Sequence, residues 1–218
     1  MNEHQREVLD EALATRPLVA ILRGITPGEV ESVVDALVAA GFRLIEIPLN
    51  SPDPWTSIAR SVARCPADVL VGAGTVLEST DAGRLAALGA PLMVTPNSDP
   101  EVVAAGVAQD LAPLIGCMTP SEALSAARAG ARALKLFPAA RLGTGYWQDI
   151  RTILPPGLPV LAVGGIERAN MAEWHAAGIG GFGFGGNLYK PGRSADEVGR
   201  IARDLVAEWQ CLQEGDIS

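Results

Sequence analysis

Eight short apolar runs recur along the chain, at 18–22, 44–49, 69–71, 92–95, 111–115, 133–137, 160–163 and 181–184. They show little alternation of apolar and polar residues. That is the pattern of parallel strands covered on both faces. The stretches between them carry helix signals instead. Thr26-Pro27-Gly28-Glu29 has the form of a capping box with proline at the first helical position. Val30, Val33, Val34 and Leu37 follow on one face, and Gly41 closes the helix. Thr119-Pro120-Ser121-Glu122 repeats the same start. Ser194 with Glu197 opens a last helix whose apolar face includes Val198, Ile201 and Leu205. Gly89, Gly130 and Gly178 occupy further helix-closing positions.

Eight strand–helix units in about 200 residues predict an α/β fold, a (β/α)8 barrel of the TIM type. Residues 3–14 predict an extra N-terminal helix able to close the bottom of the barrel. An open, doubly wound sheet is the alternative. That fold uses fewer strands, and no G-x-G-x-x-G follows the first run. The reading is a single domain over 1–218, with the N-terminal helix in 1–15, the barrel in 16–209 and a tail in 210–218. No linker or low-complexity tract interrupts it.

Composition narrows the partners. Of 218 residues, 48% are hydrophobic and 19% charged, enough for a sizeable core. A net charge of −8 argues against nucleic acid, although a local site can still hold an anion. No apolar stretch approaches the roughly 18 residues of a membrane span, and residues 2–14 lack the apolar core of a signal peptide. Cys65, Cys117 and Cys211 are an odd, widely spaced set. They read as buried or incidental thiols in a reducing cytoplasm. His4 and His175, the only histidines, give little support for a metal site or a histidine triad. Trp55, Trp147, Trp174 and Trp209 read as packing residues, and Glu214 and Asp216 as solvated ones.

The candidate chemistry sits at the ends of the runs, where barrels of this kind place their sites. Lys135 stands inside Ala133-Leu134-Lys135-Leu136-Phe137-Pro138. A desolvated lysine can lose its proton near neutral pH and attack a carbonyl; a lysine that snorkels to water is the plain alternative. Glu46 lies in Leu44-Ile45-Glu46-Ile47-Pro48-Leu49 and needs a partner there. A structural ion pair with Lys135 and an acid–base pair are both open readings. Arg23 ends the first run and suits bidentate capture of a carboxylate, with Thr75 aimed at the same space. Gly164-Gly165 and Gly185-Gly186 end the last two runs. Glycines there let backbone N–H groups approach an anion, and phosphate sites recur at that place. Tight turns without a ligand are the alternative.

Together these residues resemble the class I 2-keto-3-deoxy-6-phosphogluconate and -phosphogalactonate aldolases. The motifs that carry the resemblance are Arg16-Pro17-Leu18-Val19-Ala20-Ile21-Leu22-Arg23-Gly24, Gly72-Ala73-Gly74-Thr75-Val76-Leu77, Thr95-Pro96-Asn97, Ala133-Leu134-Lys135-Leu136-Phe137-Pro138 and Ala162-Val163-Gly164-Gly165-Ile166. It spans about residues 16–209. It implies that Lys135 forms a Schiff base and that Glu46 moves protons. Arg23, Gly74 and Thr75 would bind the substrate carboxylate, and Pro96 and Phe137 would wall the pyruvyl pocket. Gly164, Gly165, Gly185 and Gly186 would hold the phosphate.

Glu46-Ile47-Pro48-Leu49-Asn50-Ser51 looks like the phosphogalactonate branch. The phosphogluconate branch typically has arginine at the position of Asn50 and threonine at that of Val163. Asn50 and Val163 would therefore read the C4 hydroxyl. The implied reaction is reversible cleavage of 2-dehydro-3-deoxy-6-phosphogalactonate to pyruvate and glyceraldehyde 3-phosphate. A cytoplasmic homotrimer without metal or organic cofactor is implied as well. A broader aldolase that also takes phosphogluconate-type or 4-hydroxy-2-oxoglutarate substrates is the close rival. A non-covalent phosphate-binding isomerase or synthase, or a sugar-phosphate sensor, is the distant one. Gly186 departs from a Gly-Ser-x pattern common in relatives and lacks the hydroxyl that would face the phosphate. Ile115 stands where relatives usually have proline.

Overall fold

The structure, a computed structural model, describes residues 1–215. Eight strands form a closed parallel barrel: β1 (Leu18–Ile21), β2 (Leu44–Pro48), β3 (Leu70–Gly74), β4 (Leu92–Val94), β5 (Ala112–Cys117), β6 (Ala133–Leu136), β7 (Val160–Val163) and β8 (Gly181–Phe184). β8 pairs back onto β1 through Val19 and Gly183, which closes the ring and leaves no sheet edge. Outside lie α2 (Val30–Ala40), α3 (Pro54–Arg64), α4 (Thr80–Ala87), α5 (Pro100–Ala108), α6 (Pro120–Ala129), α7 (Ala139–Arg151), α8 (Arg168–Ala176) and α9 (Ala195–Gly215). The expected (β/α)8 barrel is the observed fold.

Continuous apolar runs are needed because the strands are buried on both faces. Alternate residues serve two separate cores. Ile45, Ile47, Leu134 and Leu136 face outward and pack under the helices. Leu44, Ala133, Val19, Leu92, Leu114 and Leu161 fill the barrel interior. α1 (Glu3–Thr15) contributes Val8, Leu9 and Ala12 to that inner cluster. The expected N-terminal helix is present and plugs the bottom of the barrel. Trp209 Nε1 donates to the carbonyl of Thr15 at 2.9 Å and ties α9 to the end of this plug. Trp147, Trp174 and Trp209 are buried, while Trp55 is half-buried with the Arg84 guanidinium 4.1 Å from its ring centre.

Helix starts and stops follow the local chemistry with two corrections. Thr119 and Glu122 form the expected reciprocal capping box of α6. At Thr26 only half of one exists. The Glu29 carboxylate accepts from the Thr26 N–H at 3.3 Å, but the Thr26 hydroxyl donates to that same carboxylate instead of capping a backbone N–H. Residues 26–29 are a turn, and α2 begins at Val30. At the other end, α9 runs to Gly215, and Leu212 packs against the core, so 210–215 is helix and not tail. Asp216, expected to be solvated, lies outside the described residues. Gly41 and Gly130 close their helices at φ 98° and 103°, in the left-handed region that favours glycine.

Gly72 is demanded by sheet geometry. A Cβ built there would lie 1.9 Å from the carbonyl oxygen of Leu92, its partner on β4. Gly83 in α4 meets nothing within 4 Å. Gly72→Ala is expected to lower stability by about 3 kcal/mol or more, because backbone must move. Gly83→Ala is expected to raise it by about 0.5–1 kcal/mol. Urea unfolding of both variants checks the contrast.

Candidate active site

Strand alternation decides where Glu46 and Lys135 point. In β2, Leu44 and Glu46 share the inward face; in β6, Ala133 and Lys135 do. The two chains meet near the C-terminal end of the barrel interior, with Lys135 Nζ 3.8 Å from Glu46 Oε1. Their side chains are 7% and 1% exposed. At this distance they form an ion pair without a direct hydrogen bond. Neither Glu46 oxygen has a hydrogen-bond partner among the described residues. Burial pushes the Glu46 carboxyl above the usual carboxylate range, and Lys135 and then Arg23 pull it back only in part. Such a group is placed to accept and return a proton.

Gly74 makes this geometry possible. A Cβ there would sit 2.7 Å from Glu46 Oε1. The carboxylate thus lies against bare β3 backbone. Gly74 is buried, and it stands behind Glu46 and outside the cavity wall.

Above the pair opens a cavity of about 480 Å³. Arg23, Thr75, Pro96, Lys135, Phe137 and Val163 line one part of it, and both glycine pairs line the other. Arg23 is oriented by its neighbours: Nη1 donates to Asn50 Oδ1 at 2.8 Å and Nη2 to Thr75 Oγ1 at 3.4 Å. Thr75 itself has φ 55°, an uncommon conformation for a β-branched residue. Pro96 is held by its predecessor. Thr95 Oγ1 donates to the Asn97 carbonyl at 2.6 Å and accepts from the Gly116 N–H at 3.1 Å. Phe137 lies with its ring centre 5.5 Å from Lys135 Nζ.

The two glycine pairs differ in what they require. Gly164 and Gly165 have φ 94° and 76°, and Cβ atoms there would press on the Phe137 ring and on Ala140. Gly185 and Gly186 have open space where a side chain would stand. The two loops are tied together by Asn187, whose Nδ2 donates to the Ile166 carbonyl at 2.8 Å. Asn170 holds the Gly165 carbonyl at 2.9 Å.

One cavity is lined by Lys135, a positioned guanidinium and a glycine-rich recess, with Glu46 buried against Lys135 beneath it. The family description "KDPG and KHG aldolase" matches residues 9–203. The chain belongs to this aldolase family. It is 48% identical over 200 residues to a probable 2-dehydro-3-deoxy-6-phosphogalactonate aldolase of Rhizobium meliloti (strain 1021), covering 92% of this chain and 94% of that one. It is 42% identical over 194 residues to the 2-dehydro-3-deoxy-6-phosphogalactonate aldolase of Escherichia coli (strain K12), covering 89% and 95%. A solved structure described as native KDPGal superposes with a TM-score of 0.89 at 41% identity, over 91% of this chain and 96% of that one.

Most of the residues singled out in the sequence converge on the aldolase cavity. Glu46, Asn50 and Gly74 stand one step back from it: Glu46 beneath Lys135, Asn50 against Arg23 and Gly74 against Glu46. Sequence reasoning missed the supports: Asn170, the side-chain role of Asn187, and Arg193, whose Nη1 donates to the Leu188 carbonyl at 2.7 Å. Each acts through backbone carbonyls, which leave no mark on the residue pattern. None of the three cysteines lines the cavity. Burial pushes the Cys65 and Cys117 thiols up to about 12, and Cys211 is exposed. Among the described residues, no group of three or more His, Cys, Asp or Glu side chains is placed to hold a metal, and no helix is long and apolar enough to cross a membrane.

Lys135→Met removes the largest attraction that lowers the Glu46 pKa, so that pKa rises further. For a carboxyl with a raised folded pKa, stability is full at low pH and is lost as pH climbs from the unfolded value, here 4.5, through the folded one. The variant is therefore expected to lose more stability than the parent as pH rises. Urea unfolding at about pH 5 and about pH 8 reads this. A parent–variant gap that is the same at both pH values contradicts the coupling.

Proposed function

We propose that the chain reversibly cleaves 2-dehydro-3-deoxy-6-phospho-D-galactonate to pyruvate and D-glyceraldehyde 3-phosphate through a Schiff base on Lys135. The observation that carries this reading is the buried Lys135–Glu46 pair, 3.8 Å apart, with Lys135 in the cavity wall and Glu46 beneath it. The two phosphogalactonate aldolases that share most of this chain's length support the substrate.

Lys135 Nζ adds to the C2 ketone, and Glu46 shuttles the protons by which the carbinolamine forms and loses water. The resulting iminium draws electrons toward nitrogen. Glu46 then takes the C4 hydroxyl proton, directly or through water, and the C3–C4 bond breaks. Its electron pair passes into the C2–C3 bond and onto the lysine nitrogen. Glyceraldehyde 3-phosphate leaves with its new carbonyl at the former C4. The enamine is protonated at C3, and water releases pyruvate from Lys135. Arg23, positioned by Asn50 and Thr75, binds the carboxylate, with Gly74 in the strand behind. Pro96 and Phe137 wall the pyruvyl portion. Backbone N–H groups of Gly164, Gly165, Gly185 and Gly186 bind the phosphate. Val163, in the cavity wall, and Asn50, beside Arg23, set the choice of C4 epimer. The enzyme works without a metal or organic cofactor, as a homotrimer in the cytoplasm.

Pyruvate with borohydride is expected to fix an adduct on Lys135, found by peptide mapping. An adduct on Lys190 alone, or none, sinks the covalent mechanism and favours a phosphate-binding isomerase or sensor.

The parent is expected to cleave the galacto-configured substrate with the higher kcat/KM, measured by coupling pyruvate release to NADH oxidation. Val163→Thr should shift preference toward the gluco epimer by roughly tenfold, since one hydrogen bond in a closed pocket is worth about that much. A parent that prefers the gluco epimer supports the broader phosphogluconate-type reading instead.

A further inference from the structure

The segment after β8 is a tight turn. The Gly185 carbonyl accepts from the N–H groups of Leu188 and Tyr189 at 2.8 and 2.9 Å. The next three carbonyls, of Gly186, Asn187 and Leu188, all lie near one atom. Arg193 Nη1 donates to them at 3.4, 3.0 and 2.7 Å. The Arg193 side chain is only 10% exposed, and its Nε lies 3.2 Å from the Glu197 carboxylate, one turn further on in α9. The guanidinium thus pairs in charge with α9, without a hydrogen bond from Nε among the described residues, and directs its Nη1 to backbone of the loop that lines the cavity.

A trans peptide points its C=O and N–H in opposite directions. Drawing the Gly186 carbonyl toward Arg193 therefore sends the Asn187 N–H the other way. Among the described residues, the N–H groups of Gly185, Gly186 and Asn187 donate to no protein acceptor. Gly185 and Gly186 have no side chains to lock their backbone, and space around them is open. Two successive glycines left alone would sample many conformations.

We infer that Arg193 is a positioning residue for phosphate binding: it holds the 185–188 turn so that its N–H groups stay aimed at the phosphate. Arg193 does not line the cavity and acts only through this backbone. The inference rests on the phosphate reading of the glycine pairs given above. It also accounts for Gly186, where a hydroxyl is missing and backbone donors must serve alone.

The test runs the reaction in the condensation direction, with pyruvate and either D-glyceraldehyde 3-phosphate or unphosphorylated D-glyceraldehyde. Arg193→Met keeps the stem and removes the donors. Its KM for the phosphorylated aldehyde is expected to rise about tenfold, with kcat within about twofold, given the strength of charge-assisted hydrogen bonds. Its kcat/KM for unphosphorylated glyceraldehyde, and its borohydride trapping with pyruvate, should match the parent. Arg193→Lys should recover part of the phosphate-dependent loss. Equal losses with both aldehydes, or no loss with either, overturn the inference. A parent that handles both aldehydes equally overturns the phosphate reading itself, which the parent alone reveals. If Arg193→Met does not fold, Arg193→Lys is read in the same assay. A phosphate-specific rise in its KM supports the inference, and an unchanged KM overturns it.

Discussion

An ammonium and a carboxylate face each other inside a barrel whose other interior residues are apolar. Taking both out of water is unfavourable, and their mutual attraction offsets this only with good geometry. Here the geometry is loose, at 3.8 Å with no hydrogen bond to either Glu46 oxygen among the described residues. A pair held for stability would be expected to satisfy those oxygens. This one leaves them without a hydrogen-bond partner among the described residues, and burial holds the Glu46 carboxyl above the usual carboxylate range. The rest of the structure serves that placement. β2 and β6 supply the inward face, Gly74 clears space for the carboxylate, and α1 seals the bottom of the barrel.

Substrate would be held at two ends of a cavity whose floor does the chemistry. Arg23 is preorganised by Asn50 and Thr75, so it need not reorder when a carboxylate arrives. At the far end, recognition of the proposed phosphate would fall to backbone. Gly164 and Gly165 sit at positive φ, with Phe137 and Ala140 where a side chain would stand. Gly185 and Gly186 have open space instead, and their loop is held by hydrogen bonds from Arg193 and Asn187. In the proposed reaction, binding energy gathered at the phosphate would orient C2 and C4 against Lys135 and Glu46.

The sequence by itself determined the periodicity of eight apolar runs, and with it the barrel, because strands buried on both faces must be apolar throughout. It also marked Lys135 and Glu46, since a charge inside an apolar run is rare enough to require a reason. Helix ends were legible where one side chain decides them, as at Thr119, Gly41 and Gly130. Thr26 misled because a hydroxyl has two possible partners and the motif does not say which it takes. Only the tertiary structure decided that Glu46 and Lys135 meet, because closure of the ring brings β2 across from β6 over long sequence separation. Only it showed that Asn50 holds Arg23 and that Arg193 holds the 185–188 turn. Those contacts end on single atoms whose positions depend on the packing of whole elements, and no periodicity along the chain encodes them.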